Sequence, residues 1–266
     1  MRRNRAALLA LGLLILVVTA TLVAPFLAPA DPLTVRPERA LQPPGRSYWM
    51  GTDQFGRDMA SRLLYGGRLT LGAALTAALV ATLPGTLLGL LAGYFGGVVD
   101  ALISRSTDMI LAIPSLLLAL LIVAVLGPGL AAAAWGVGLA GLPSTIRVVR
   151  SAVVRVRRMR YVMAARAVGC SEIRIMACHV LPNVAGTVVV IATLQVGWAM
   201  LNASALSFLG LGPAPGAPEW GSMLNEGRLY LRQAPWIAAA PGIVLTLTIL
   251  AVNLLGDSLG DAIDAQ

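Results

Sequence analysis

Lysine is missing from all 266 residues, so the 20 Lys-plus-Arg positions are arginine throughout. The phosphate-cradling loop GxxxxGK[ST] needs its lysine, and this chain therefore holds no such ATP site. Histidine occurs once and cysteine twice, at His179, Cys170 and Cys178. Their spacing does not make a metal site, and the cysteines read as small structural thiols. No HExxH or GxSxG occurs, which removes the signatures of zinc peptidases and serine hydrolases. Charge is scarce: 12% of residues are charged and 58% are hydrophobic. A soluble chain of this length has too much surface to cover with so few charges. The composition is that of a polytopic membrane protein. The net charge of +8 does not point to nucleic acid, because the arginines flank the apolar runs and no aromatic residues are interleaved with them.

Six apolar runs approach the roughly 20 residues a spanning helix needs: residues 6–24, 69–92, 109–126, 130–146, 184–206 and 236–255. The first follows a basic start at residues 1–5 and is ended by Pro25, Pro29 and Pro32. It exceeds the ~7–15 residues of a signal-peptide core. It reads as a retained helix, although Ala28-Pro29-Ala30 offers a small-residue cleavage pattern. Pro84 is tolerated in the second run, and Pro114 lies near the start of the third. The division is then residues 1–28 as first helix, 29–68 as an outer segment, 69–256 as a membrane core and 257–266 as an acidic tail.

Residues 147–183 carry Arg147, Arg150, Arg155, Arg157, Arg158, Arg160, Arg166 and Arg174 against one acid, Glu172. A basic stretch between two spans belongs on the cytoplasmic side. With six spans both termini then face the cytoplasm, and residues 29–68 and 207–235 face outward. The asymmetry is imperfect, since Arg36, Arg39, Arg46, Arg57, Arg62 and Arg68 lie in the first outer segment beside four acids. No acid or base falls at mid-depth in a span, as proton-coupled transport or voltage sensing requires. Any transport would be energised from outside the chain.

Within the basic stretch, residues 161–167 read as a short helix with small side chains at Ala164, Ala165 and Ala167. Gly169 permits a sharp turn. Ser171 caps a second helix over 172–180, which Pro182 ends. This hairpin suits either an ordinary amphipathic surface element or one that docks its small-residue face into a groove of another protein. On the other side, Gly51-Thr52-Asp53 and Gly56-Arg57-Asp58 place glycines at turns and leave Asp53, Arg57 and Asp58 to pair. That segment reads either as a folded loop closed by surface ion pairs or as a contact surface.

The stretch YVMAARAVGCSEIRIMACHVLPN resembles the EAA loop of ABC-transporter permease subunits of the peptide/nickel importer family, patterned YVEAARALG…HxLPN. Tyr161, Ala164, Ala165 and Gly169 match its first half and turn, Ser171 follows the turn, and His179, Leu181, Pro182 and Asn183 match its close. Met163 replaces the usual glutamate, and Cys178 replaces a basic residue. Gly51, Thr52, Asp53, Gly56, Arg57 and Asp58 resemble the family's GTDxxGRD segment, with Tyr48 where a histidine is common. LSFLGLG at 206–212 with Trp220-Gly221, and NLLGDSLGDAID at 253–264, resemble two further segments. Asn202 and Ala203 stand where an acid commonly precedes the first, and Gly260 replaces an arginine in the second.

The resemblance implies an all-α type I ABC importer permease (MetI-like) with six transmembrane helices, of the DppC/OppC-like kind, in the cell (inner) membrane. It implies a second, DppB/OppB-like permease, two ATPase subunits seated on the EAA loop as a coupling helix, and an extracytoplasmic binding protein. The cargo would be dipeptides, oligopeptides, nickel or other metal chelates. No catalytic, cofactor or metal residue is expected in this chain; ATP and Mg would be bound by the ATPase partners. The alternative is the permease of another ABC system, an exporter or one with non-peptide cargo.

Overall fold

The computed structural model describes residues 5–264, so Arg2 and Arg3 of the basic start and the last two residues of the tail lie outside the described residues. Helix α1 (Arg5–Leu22) is followed by one turn, α2 (Ala24–Leu27). Pro25 sits in the first turn of α2, where its missing N–H is not needed.

Helix α3 (Met59–Phe95) begins ten positions before the expected second span. The cause is local: the Asp58 carboxylate accepts from the Ser61 N–H at 2.7 Å and caps the helix there. Residues 59–68, expected in the outer loop, are therefore helical. Gly96, at φ 69°, ends α3.

The next stretch departs most from expectation. Residues 93–105, expected as a short turn, mostly enter a helix, α4 (Gly97–Leu111). The expected third span at 109–126 is broken, because α5 (Ser115–Leu126) meets α4 at 89°. Pro114 supplies no N–H and biases Ile113 away from helical backbone, which places the break. The 12 residues of α5 reach only about 18 Å, short of the ~30 Å apolar core of a bilayer.

Helix α6 (Leu130–Arg157) continues past the expected boundary at 146, so Arg147, Arg150, Arg155 and Arg157 lie on its last turns and not in a loop. Helices α7 (Arg160–Ala167) and α8 (Glu172–Ile175) follow, then a π-turn (Met176–Val180) and α9 (Leu181–Phe208). Pro182 does not end a helix as expected. It occupies the first turn of α9, after the π-turn has widened the path so that the Leu181 N–H reaches back to the Met176 carbonyl. Helix α10 (Trp220–Gly227) precedes α11 (Trp236–Asp264), which carries helix into the expected acidic tail. Among the described residues five helices are long and apolar enough to span, and six spans result when the bent α4–α5 pair is taken as one.

Small residues set the packing. Gly85, Gly89 and Gly93, four residues apart, form a stripe on α3 facing α6. A Cβ on them would lie 2.8 Å from the Thr145 side chain, the Ile146 carbonyl and the Arg150 carbonyl in turn. Gly138 on α6 answers with the Ala77 carbonyl 2.8 Å from its Cβ position. The two backbones are in contact along much of their length, the membrane counterpart of a packed core. Helices α9 and α11 approach similarly at Gly197, whose Cβ position lies 2.5 Å from the Asn253 side chain, and at Gly256 against Leu194. A larger apolar cluster surrounds Met59, Leu206, Trp220 and Met223. A smaller one holds Tyr94, Val149, Val153, Val162, Ile175 and Val180 beneath the α7–α8 hairpin.

Candidate functional site: a hairpin at one end and a buried charge cluster at the other

The hairpin is built from α7, the Gly169 turn and α8. Val162, Ile175 and Val180 are fully buried and anchor it, whereas Val168 (79% exposed), Ile173 (72%) and Met163 (54%) face outward. Tyr161 and Ala164 are exposed and Ala165 is half-buried. Gly169 adopts φ +83°, a left-handed conformation that glycine takes without steric cost. Its N–H donates to the Arg166 carbonyl at 3.0 Å, and the Cys170 N–H donates to the Ala165 carbonyl at 3.1 Å. The Ser171 hydroxyl oxygen accepts from the Arg174 N–H at 3.4 Å, capping α8. At the close of the motif, the Asn183 amide donates to the His179 carbonyl at 2.7 Å. Leu181, Pro182 and Asn183 are exposed and His179 is half-buried.

Contacts unforeseen from the sequence brace this hairpin against α3, and α3 against the end of α6. Arg166 on α7 donates to Glu172 on α8 at 3.1 and 2.9 Å, bridging the turn. Hydrogen bonding to that carboxylate, then to Tyr94, raises the Arg166 pKa. The Tyr94 hydroxyl, at the end of α3, donates to Glu172 and accepts from Arg166 at 3.3 Å. Arg157 at the end of α6 donates to the Tyr94 and Gly93 carbonyls at 2.5 and 3.3 Å, satisfying acceptors that a helix C-terminus leaves open.

At the other end, the segment expected to close with surface ion pairs is buried: Thr52, Asp53, Arg57 and Asp58 are each at most 4% exposed. Arg57 pairs with Asp53 at 2.6 Å, but Asp58 takes its bonds from Ser61 and not from an arginine. Two residues outside the motif complete the cluster. Glu226 on α10 accepts from Arg57 at 2.9 Å and from Arg62 on α3 at 3.0 Å, and both guanidiniums donate to the Gly216 carbonyl at 3.2 Å. Two arginines against two carboxylates make the cluster formally neutral, which offsets the cost of burying charge.

The glycines of this segment are sterically required. A Cβ on Gly56, at φ +72°, would lie 1.8 Å from the Arg36 carbonyl, and one on Gly51 would lie 2.6 Å from the Trp236 indole nitrogen. That nitrogen donates to the Thr52 carbonyl at 3.0 Å. Tyr48 receives hydrogen bonds from Arg39 at 2.5 Å and Arg36 at 3.3 Å. The Arg39 bond lowers the phenol's pKa.

Glu219, which precedes Trp220, is buried and caps α10 by accepting from the Gly221 and Ser222 N–H groups at 3.0 and 2.8 Å. Nothing local in the sequence marks the contact of the Tyr94 hydroxyl with Glu172 or that of Arg62 with Glu226, since these partners lie 78 and 164 positions apart.

Known proteins agree with this architecture. Residues 85–266 match the family model described as binding-protein-dependent transport system inner membrane component, and residues 1–44 match the N-terminal TM domain of oligopeptide transport permease C. The chain is 42% identical, over 100% of its length and 88% of the relative's, to the dipeptide transport system permease protein DppC of Alkalihalophilus pseudofirmus. It is 40% identical, with the same coverage, to the glutathione transport system permease protein GsiD of Shigella flexneri. A chain of the inward-facing MetNI methionine ABC transporter superposes with a TM-score of 0.62 over 77% of this chain and 97% of that one, at 19% identity, a likeness of fold. Full-length relatives and a family model spanning the membrane core leave one assignment: the chain belongs to the binding-protein-dependent transport system inner membrane components, the permease subunits of ABC importers.

Proposed function

We propose that this permease carries half of a translocation path for di- or oligopeptides, delivered by an extracytoplasmic binding protein and driven by ATPase subunits seated on the α7–α8 hairpin. The relatives' cargoes, dipeptide and glutathione, support a short-peptide cargo. A second, related permease supplies the other half of the path. ATP and Mg bind in the ATPase subunits, and this chain hydrolyses nothing. ATP binding closes the ATPases and draws the hairpins together. The helices then rock as rigid bodies and switch access to the path.

The observation that carries the reading is the hairpin itself. It is anchored beneath by Val162, Ile175 and Val180, yet presents Met163, Val168 and Ile173 to its surroundings. An exposed apolar tip on a rigidly held element is a docking surface. The hairpin lies on the cytoplasmic side with both termini. Part of the arginine excess in residues 29–68 is neutralised by Asp53 and Glu226, which supports that orientation under the positive-inside rule.

Trypsin tests both docking and sidedness, because Arg158, Arg160, Arg166 and Arg174 are exposed on or beside the hairpin. Cleavage there is expected in inside-out but not right-side-out vesicles, and suppressed when the ATPase subunits are co-expressed. Cleavage from the outer face would overturn the orientation. Equal cleavage with and without the ATPase would overturn the docking.

A further inference from the structure

The hairpin is joined to α6 through Arg158 and Met159 alone. On its other side the hairpin runs without a break through the π-turn into α9, and Val162 and Ile175 pack with Leu90 and Tyr94 of α3 in the apolar cluster beneath it. Apolar packing is not directional, so it does not by itself fix the hairpin's angle against α3. A polar attachment to α3 would. The Tyr94 hydroxyl provides one, since it meets both Glu172 on α8 and Arg166 on α7. The Arg166 guanidinium also stands 5.9 Å from the centroid of the Tyr94 ring.

Tyr94 is 3% exposed and belongs to the apolar cluster beneath the hairpin. Its ring is fixed while its hydroxyl emerges at the hairpin's only acid. The carbonyl side of the same residue is held by Arg157. One residue of α3 is thus gripped by the end of α6 and by both arms of the hairpin.

Helix α3 is 37 residues long, about 55 Å at 1.5 Å per residue. Its glycine stripe locks it against α6. At its far end Arg62 enters the buried cluster with Asp53 and Glu226. The rod therefore runs unbroken from the hairpin contact to the opposite loops.

We propose that Tyr94 is the positioning residue that couples the hairpin to α3, through its hydroxyl on the Arg166–Glu172 ion pair, so that motion of the hairpin displaces α3 and, through Arg62, the loops at the other end. The proposal rests on the docking reading above and adds to it the route by which force enters the membrane domain. Coupling needs a packed element that moves as one, together with contacts that bias it. Here the element is the α3–α6 pair and the contact is a charge-assisted hydrogen bond.

The test uses the complete importer in proteoliposomes with its binding protein and a radiolabelled dipeptide. Tyr94→Phe keeps the ring and deletes the hydroxyl. Co-purification of the ATPase is expected to persist, and peptide taken up per ATP hydrolysed is expected to fall about tenfold, the factor that goes with losing one hydrogen bond to a charged group. Glu172→Gln, at an exposed position, should give a similar fall. The double variant should be no worse than the worse single one, because both remove the same contact. A merely structural role for Tyr94 would lower the amount of assembled importer and leave uptake per ATP unchanged.

An unchanged ratio in Tyr94→Phe, or additive losses in the double variant, would overturn the proposal. If Tyr94→Phe does not assemble, Glu172→Gln alone decides, with an unchanged ratio again overturning it. Failure of the wild-type permease to retain the ATPase would instead overturn the docking reading, so the two failures are distinguishable.

Discussion

Arg62 and Glu226 meet at 3.0 Å although 164 positions separate them in the chain. Arg62 is the largest fully buried charged side chain among the described residues, and it enters a cluster that ties the start of α3, the GTDxxGRD segment and α10 into one unit. The cluster is held by complementarity: Glu226 Oε2 accepts from Arg57 and Arg62 together, and Asp53 faces both guanidiniums. These loops therefore present a preassembled surface and not a flexible linker.

Removing one member should be costly. Glu226→Ala leaves two buried guanidiniums with a single carboxylate and is expected to destabilise the protein by about 3 kcal/mol, the lower end for breaking a buried pair, because Glu226 retains 20% side-chain exposure. Arg62→Met combined with Glu226→Leu leaves Arg57 with Asp53 and should recover most of that loss. Thermal unfolding of the purified permease in detergent checks both, and a double variant less stable than Glu226→Ala would contradict the account.

Gly169→Leu separates coupling from folding. No atom lies within 4 Å of the Cβ position, yet φ is +83°. The variant meets no clash but bears the left-handed penalty of about 1–2 kcal/mol, which the turn relieves by opening. Normal accumulation in the membrane with loss of ATP-driven uptake is expected. Full uptake would show that the hairpin's shape is immaterial.

What the sequence disclosed was local. The Gly169 turn, the Ser171 cap, the apolar runs and the four motif segments depend on neighbours in the chain, and periodicity or turn chemistry reports them. Prolines were legible only in part. Pro84, Pro143 and Pro241 lie inside long helices, whereas Pro114 breaks one at 89°. A membrane helix tolerates proline where neighbours can satisfy the freed backbone groups, and such neighbours are tertiary, outside what a single sequence contains. The same limit hid the charge cluster. Asp53 and Arg57 are four apart and visible as a pair, but Arg62 and Glu226 have no local signature. The ion pair expected at the surface of that loop is thus buried, with Asp53 and Arg57 at most 4% exposed.

The glycine stripe of α3 permits a contrast within one helix. At Gly89 a Cβ would lie 2.8 Å from the Ile146 carbonyl, while at Gly72 no atom lies within 4 Å. Gly89→Leu must push α6 away and is expected to cost more than the ~1–3 kcal/mol typical of overpacking, since backbone, not a side chain, blocks it. Gly72→Leu should leave the melting temperature close to wild type. Equal effects at the two sites would mean that α3 and α6 do not touch as described.

Thr70 is the least conspicuous residue on which the α10 region depends. Its hydroxyl donates to Glu219 Oε1 at 3.0 Å and accepts from the Trp220 N–H at 3.1 Å, all within buried surroundings. Thr70→Val preserves shape but strands a buried N–H and one carboxylate lone pair, an expected loss of about 1–3 kcal/mol. Thr70→Ser keeps both bonds and gives up one methyl group, so it should lose less. Because the Trp220 indole is itself tied to the Leu63 carbonyl at 2.9 Å, loosening here should alter tryptophan emission before global unfolding. Melting curves read by fluorescence therefore order the three proteins as wild type, Thr70→Ser, Thr70→Val, and an order with Val above Ser would mean that the hydroxyl carries no structural weight.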